Sequence, residues 1–173
     1  MITRTFTTLD GVERIAEFSD CLRYRYSLLI RWDKTLPVQM LIGLNPSKAD
    51  ERRNDPTVLR GIDYCHRWNK GGLLMANAFA FRATDPREML RAADPIGDDN
   101  TAEYLEYLAV NVASGTPIAC WGTKAAHMNR GRILKAVLGR LDCLRMTKEG
   151  YPQHPLYLPA ALTPIPFNYS RGE

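Results

Sequence analysis

The sequence predicts an α/β fold of three layers, in which helices cover both faces of a mostly parallel central sheet of about four strands. Apolar runs typical of buried strands alternate with amphipathic segments typical of helices along most of the chain. Several of the apolar runs also end at a polar turn, as strands do in open α/β sheets. These two observations favour βαβ units with right-handed crossovers, preceded by an N-terminal antiparallel hairpin.

The strands are predicted from alternation and from apolar runs. Apolar and polar side chains alternate over residues 17–32, which predicts the antiparallel hairpin with its turn at Ser19 and Asp20. In that alternation Arg25 falls on the polar, half-exposed side of the element. The strands of the central sheet are predicted over residues 38–44, 73–81, 117–121 and 143–146.

Helices are predicted where a capping residue precedes apolar residues with a period of 3.6. Asp55 is a suitable N-cap and Pro56 a suitable first residue for a helix over residues 56–68. Other helical segments are expected from Pro86, after a cap at Asp98 or Asp99, and around Ile133.

Composition bounds the class of protein. The 173 residues are 45% hydrophobic and 24% charged, which fits one soluble domain over residues 1–173. No apolar run approaches the roughly 18 residues of a membrane span, so we expect a cytoplasmic protein without a membrane partner. The four cysteines lie far apart, so neither a disulfide framework nor a metal site is expected, and no cofactor motif occurs. A net charge of +4 permits an anionic partner.

Polar residues or turn residues lie in or after the predicted strands at four separate places. Asn45 follows the first central strand, Asn77 lies in the second, Gly122 follows the third, and His154 lies beyond the fourth. Because the carboxyl ends of parallel strands meet along one edge of a sheet, we expect these four residues to border one cleft. The catalytic candidates are Asn45 and His154, and the binding candidates are Gly43, Pro46, Ser47, Asn77, Arg82, Trp121, Gly122, Tyr151 and Tyr157.

These groups suit the binding of a nucleobase. Aromatic side chains can stack on the ring, and an asparagine amide can pair with its edge. A histidine can stabilise the negative charge that develops when a glycosidic bond breaks, and an asparagine or a carboxylate can position the attacking water. The sequence therefore predicts a nucleic acid or a nucleotide as the partner.

Five stretches carry a resemblance to a known family. They are FSDCLRYRYSLLIRW, GLNPSKADERRNDPT, GGLLMANAFAFRATDP, ACWG and GYPQHPLYLP, and together they resemble domain of unknown function family 1643 over nearly the whole chain. More remotely, the order of the motifs is similar to that of the uracil-DNA glycosylase superfamily. In that superfamily an Asn-Pro or Asp-Pro turn follows the first strand, an Asn ends the second, Trp-Gly follows the third and a His-Pro segment closes the site.

The remote resemblance implies a role for individual residues. It gives Asn45 the position that holds the water, Asn77 the position that reads the base, and His154 the position that stabilises the leaving base. Leu156 or Leu158 would lie where that superfamily inserts a side chain into the duplex. The resemblance thus implies an N-glycosidase acting on DNA or on a nucleotide, with a uracil-DNA-glycosylase-like fold.

Alternatives remain open at the level of residues and of function. Asp55 is most simply an N-cap, with catalysis as the second interpretation, and His127 is a weaker site candidate because it follows Trp-Gly closely. The chain could instead be a non-catalytic module that binds nucleic acid or nucleotide, since the Asn45 turn has no carboxylate. It could also be an interaction protein that keeps only the fold.

Overall fold

The computed structural model describes residues 1–169, and this part of the chain forms one eight-stranded sheet with helices packed on it. The strands are β1 (Ile2–Thr7), β2 (Glu13–Phe18), β3 (Arg25–Arg31), β4 (Val38–Gly43), β5 (Gly72–Asn77), β6 (Ile118–Ala119), β7 (Asp142–Cys143) and β8 (Ile165–Pro166). The α-helices are α1 (Pro56–Arg67), α2 (Pro86–Arg91), α3 (Ala102–Asn111) and α4 (Arg130–Leu138). Two 3₁₀ segments cover Thr123–Asn129 and Pro155–Tyr157.

The predicted fold class is wrong. The sheet has eight strands in the order β1-β2-β3-β5-β4-β6-β7-β8, not about four. Strands β5, β4, β6 and β7 pair in parallel, but β1, β2 and β3 add antiparallel pairs at one end of the sheet, and β8 adds another at the other end. Antiparallel pairs therefore outnumber parallel ones, and the sheet is mixed.

The error has a physical cause at each end of the sheet. Strand β1 is exposed along nearly its whole length, so its sequence has no alternation of apolar and polar residues that would indicate a strand. The pairing of β3 with β5 joins segments about forty residues apart, with β4 between them in the sequence. Such pairings depend on the whole fold and leave no local pattern.

The sheet separates two hydrophobic clusters. One contains Met89 of α2, Leu105 of α3 and Leu134 of α4, and the other contains Val58 and Tyr64 of α1. Strand β4 is buried along its full length, so its alternate residues supply both clusters. Burial on both faces holds the carboxyl end of β4 in a fixed position. Within residues 1–169, no helix combines the length and apolar character that crossing a bilayer requires.

Helix α1 follows the local sequence signals closely. Asp55 caps it by accepting a hydrogen bond from the backbone N–H of Val58 at 2.8 Å, and Pro56 is its first residue. The helix ends at Arg67, one residue before the predicted end. The start of α3 differs from the prediction, because Thr101 and neither aspartate before it caps that helix.

A β-bulge interrupts the pairing of β2 with β3. Glu17 pairs with Ser27, but Phe18 pairs with Arg25, so Tyr26 is an extra residue on β3. Paired residues share a face of the sheet, and Phe18 belongs to the cluster that packs against α1. The bulge therefore turns Arg25 onto the buried face below α1, while Tyr26 contacts Tyr104 of α3 with ring centroids 6.4 Å apart.

Candidate functional site

A cavity of about 470 Å³ lies at the carboxyl ends of β4 and β5, beside the N-terminus of α1. Its lining comes from the loop after β4, the end of β5, the turn after β6 and the 3₁₀ segment Pro155–Tyr157 with the residue before it. The structure brings to it these residues from the sequence analysis: Gly43, Asn45, Pro46, Ser47, Asp55, Asn77, Trp121, Gly122, His154, Leu156 and Tyr157. Their chemical roles stay predictions.

The amide nitrogen of Asn45 holds the loop in place. Its Nδ2 donates to the carbonyl of Ala83 at 2.9 Å and lies within 3.3 Å of the carbonyl of Pro46 and 3.4 Å of that of Phe81. The loop is further joined to the segment after β5 because the backbone N–H of Ala83 donates to the carbonyl of Pro46 at 2.9 Å. The amide oxygen of Asn45 is the part of the group left to accept a hydrogen bond.

Asn77, the last residue of β5, is only 2% exposed, and its Nδ2 has no hydrogen-bond partner in the described part of the chain. A buried amide donor without a partner is costly, and binding sites are a usual exception. Gly43 lies beside Asn77 in the parallel pair, and a Cβ at Gly43 would lie 2.9 Å from the Asn77 Oδ1. The glycine therefore makes room for the amide.

His154 presents a neutral imidazole to the cavity. Burial lowers the pKa of His154, and the carboxylate of Asp55 opposes this effect. Its Nδ1 accepts a weak hydrogen bond from the backbone N–H of Leu156 at 3.4 Å. In the neutral ring the proton is then on Nε2, which makes Nε2 a donor.

The segment that carries His154 is fixed from both sides. The backbone N–H of Gly122 donates to the carbonyl of Pro152 at 2.9 Å. Gly122 has φ 71° and ψ −171°, a conformation that only glycine adopts readily, although a Cβ there would meet no atom within 4 Å. On the other side, Tyr64 of α1 donates its hydroxyl to the carbonyl of Pro159 at 2.9 Å, and Arg60 donates to that of Leu158.

The mouth of the cavity is more exposed than its floor. Tyr157 is 88% exposed, and Lys124 is an exposed cation on the same rim. Trp121, by contrast, is 1% exposed and packs edge-on against Phe167 with ring centroids 6.0 Å apart. Tyr157 is therefore an exposed aromatic ring at the mouth, whereas Trp121 forms part of the wall.

Four predicted candidates do not line the cavity. Leu158 is 5% exposed and packs in the cluster below α1, so it is not available for insertion into a duplex. Tyr151 packs edge-on against Tyr169, and His127 packs against Phe79. Arg82 lies in a second groove.

The second groove adjoins the cavity, since both are lined by Ser47, Ala83 and Thr84. Three cations line this groove, while one acidic residue, Glu88, does so. Arg23 stacks over Phe81 at 5.6 Å, and Arg82 donates to the carbonyl of Leu22 at 3.1 Å. The cations of the groove are Arg23, Lys48 and Arg82.

Sequence reasoning missed Arg25, which lines the cavity and is 2% exposed. Strict alternation places it on the half-exposed side of β3, but the bulge opposite Phe18 moves it to the buried face. The sequence contains no sign of this bulge. The one available signal is that an arginine stands at the beginning of a largely apolar strand.

Neither a metal site nor a disulfide is supported in the described chain. Residues 1–169 contain no group of three or more His, Cys, Asp or Glu side chains that could hold a metal ion. The four cysteines are free, and burial raises the pKa of Cys65 and that of Cys120 to about 12 each, so both stay protonated thiols at neutral pH.

Comparison with known proteins gives one match. Residues 25–156 match a family described as "Protein of unknown function (DUF1643)". No curated protein and no solved structure matches the chain, and the resemblance to the uracil-DNA glycosylase superfamily stays a prediction. Since the match covers well over half of the sequence, including every residue that lines the cavity except Tyr157, the chain belongs to this family of unknown function, DUF1643.

Proposed function

We propose that the protein is an N-glycosidase that handles a nucleobase of DNA or of a nucleotide. One observation carries the proposal: Asn45, Asn77 and His154, which are more than a hundred positions apart at the extremes, border one cavity. The cavity is within the usual range for a small-molecule ligand, and its floor contains a buried amide donor that lacks a partner.

Binding of the base is assigned to Asn77. An acceptor on the edge of a base would give the Asn77 Nδ2 the hydrogen bond that it lacks within the described part of the chain. The position of this amide is fixed, because Gly43 approaches it closely and β5 is buried along its whole length. A fixed donor favours a base that presents an acceptor at one particular point.

Bond cleavage is assigned to His154. When the bond between C1′ of the sugar and the ring nitrogen of the base breaks, its electron pair passes to the base. The neutral His154 can donate from Nε2 to an acceptor on the base where this negative charge collects. Such a donor contributes mainly in the transition state.

Water completes the hydrolysis. The Asn45 Oδ1 accepts a hydrogen bond from the water, which attacks C1′ and loses a proton that ends on the departing base. The Asn45 Nδ2 already donates to the carbonyl of Ala83, so its oxygen is directed away from that contact. Asp55 also lines the cavity, but its Oδ1 caps α1, and we assign it the capping role.

The cations around the site suit the phosphates of the substrate. Lys124 is exposed at the mouth, and Arg23, Lys48 and Arg82 line the adjoining groove. A polynucleotide in this groove would release counterions, so its affinity should fall steeply as the salt concentration rises. Binding of a mononucleotide would depend on salt much less.

A screen for base release tests the proposal. DNA oligonucleotides and nucleotides that contain varied natural, damaged and modified bases are incubated with the protein, and free base is measured. On a responsive substrate, His154→Ala should lower the single-turnover rate by about a hundredfold, the usual scale for losing one such donor. His127→Ala is a matched control, because this half-buried histidine lies outside the cavity. Equal rates of the folded His154→Ala protein and the parent would remove His154 from the mechanism.

A non-catalytic binding module is the second candidate. It is favoured by the lack of a carboxylate in the Asn45 turn and by the use of Asp55 as a helix cap. Tight binding to abasic-site DNA without release of any base would support this candidate. Neither binding nor turnover on any nucleic acid or nucleotide would leave only the interaction protein.

A further inference from the structure

Arg25 is a buried cation whose hydrogen-bonding capacity is only partly used. Its Nη1 donates to the carbonyl of Ala49, and its Nε is buried without a partner. No carboxylate oxygen lies within 4.0 Å of its guanidinium nitrogens in the part of the chain that the structure describes. A buried charge in this state is destabilising unless something else pairs with it.

The other buried arginines of the protein are used differently. Arg130 is 4% exposed, and it donates from Nε to the carbonyl of Ala78 at 2.8 Å and from Nη2 to that of Asn100. Arg14 is 6% exposed, and its Nε and Nη2 donate to the carbonyls of the loop before α1. Both join segments of backbone, and neither lines the cavity. Arg25 alone of the three combines an unpaired Nε with a position in the cavity wall.

Arg25 keeps its charge at neutral pH. Burial lowers the pKa of Arg25 to about 10, and the negative charge of Asp55 acts in the opposite direction. A pKa of about 10 still leaves the guanidinium protonated near pH 7. The wall of the cavity therefore contains a fixed positive charge as well as the Asn77 amide nitrogen without a partner.

The depth of Arg25 indicates which part of a ligand it would contact. Arg25, Gly43, Met75 and Asn77 are buried and form the floor, whereas exposed residues such as Lys124 form the rim. In a glycosidase of the proposed kind the base occupies the floor, and the sugar and phosphates remain near the rim. The partner of Arg25 therefore belongs to the base.

We propose that Arg25 binds a negatively charged group of the nucleobase itself, so that the substrates are acidic bases. This inference rests on the proposed function and gives it a substrate class. Two kinds of base have the required chemistry: pyrimidines with a carboxylate on the ring, and purines with a ring N–H acidic enough to ionise near neutral pH. An arginine side chain with a free Nε suits such an anion, because hydrogen bonds between two charged groups are the strong ones.

Calorimetric titration with two matched pairs of free bases tests this inference. The pyrimidine pair is 5-carboxyuracil against uracil, and the purine pair is xanthine against hypoxanthine; inorganic phosphate is titrated separately. The charged member of at least one pair should bind about tenfold more tightly than its neutral partner, the scale of one hydrogen bond to a charged group. Arg25→Gln should abolish this preference. Arg140→Gln, the same change at an exposed arginine outside the cavity, should leave it intact.

A second measurement needs no variant, in case Arg25→Gln does not fold. In the parent protein, the affinity for xanthine should rise as the pH increases through the pKa of xanthine's own acidic N–H. Hypoxanthine stays neutral over that range and reports any titration of the cavity itself. A xanthine affinity that follows the hypoxanthine affinity at every pH would contradict the assignment for purines.

The remaining outcomes separate this inference from the proposed function. Equal binding of charged and neutral bases, or a preference that survives in folded Arg25→Gln, overturns the role of Arg25 and leaves the glycosidase proposal standing. Binding of phosphate with no binding of any base overturns both. Binding of none of these probes also overturns both.

Discussion

The parallel strands β4 and β5 are neighbours, and each has an asparagine at or just beyond its carboxyl end. The two asparagine side chains differ in their hydrogen bonds. Asn45, just after β4, has its amide nitrogen in contact with three loop carbonyls. Asn77, at the end of β5, has an amide nitrogen that is buried and has no partner. The same residue type near the ends of neighbouring strands thus supports the loop in one case and has a donor without a protein partner in the other.

The difference shows how a structural side chain can be distinguished from one that is available to a ligand. Residue type and position at a strand end do not separate Asn45 from Asn77, since both satisfy the same sequence criterion. Hydrogen bonds do separate them, because a donor that already has protein partners gains little from a ligand. By this criterion Arg25 and Asn77 belong together on the floor, and the amide nitrogen of Asn45 belongs to the scaffold.

The largest effect on stability is expected for Asn45→Ala. This change removes the contacts of Nδ2 and leaves the carbonyl of Ala83 without this donor, so the free energy of unfolding should fall by about 1–3 kcal/mol. Urea denaturation followed by circular dichroism measures the change. A stability equal to that of the parent would mean that the Asn45 amide does not hold the loop.

Asn77→Ala should weaken ligand binding and leave the stability of the protein almost unchanged. Its Nδ2 has no partner to lose, so the free energy of unfolding should change by less than about 1 kcal/mol. The affinity for the base that binds the parent best should fall about tenfold, since one hydrogen bond to that base is removed. Titration calorimetry with the same base gives the comparison, and a large loss of stability with unchanged affinity would reverse the contrast between the two asparagines.

Gly43→Ala should produce a weaker form of the Asn77 effect. The added Cβ would lie 2.9 Å from the Asn77 Oδ1, so the amide must move without being removed. We expect the affinity for the same base to fall about threefold, the equivalent of a weakened hydrogen bond. In the Asn77→Ala background this substitution should have no further effect on affinity, and an additive effect there would exclude a mechanism through Asn77.

The smallest effect near neutral pH is expected from His154. Because burial lowers its pKa, the neutral form is favoured in the folded protein, and its contribution to stability is present above the ordinary value of about 6.5. This contribution is lost as the pH falls towards the lowered pKa, where a protonated Nδ1 can no longer accept from Leu156. Unfolding at pH 7.5 and pH 5 should therefore show a drop in the parent that His154→Gln lacks. An NMR titration giving His154 a pKa above the ordinary value would contradict this sign.

Local signals in the sequence account for part of the structure. Asp55 and Pro56 define the start of α1 because capping and proline preferences act within one turn of helix. The pattern of apolar run followed by polar turn also locates Asn45, Asn77 and His154 near one another. These features depend on short stretches of chain, which is why a single sequence contains them.

The rest depends on contacts between distant segments. The antiparallel strands at the ends of the sheet are specified by their neighbours in the fold, and β1 is too exposed to have a recognisable pattern. The unpaired state of the Asn77 Nδ2 depends on what every surrounding segment provides. Arg25 was assigned to the wrong side of β3 because one extra residue in that strand reverses the alternation.

That extra residue has an evolutionary consequence. The floor of the cavity has a cation because Arg25 lies opposite Phe18, with Tyr26 as the extra residue of β3. Deleting Tyr26 would leave Arg25 directly before Ser27 and still opposite Phe18. One residue inserted between Arg25 and Tyr26 would instead take the place opposite Phe18 and move the arginine to the opposite face, while the residues from Ser27 onward kept their places. A lineage could therefore gain or lose the charge on the cavity floor through one codon inserted or deleted. Relatives with one more residue at this point of β3 would then differ in ligand while sharing the same asparagines and histidine.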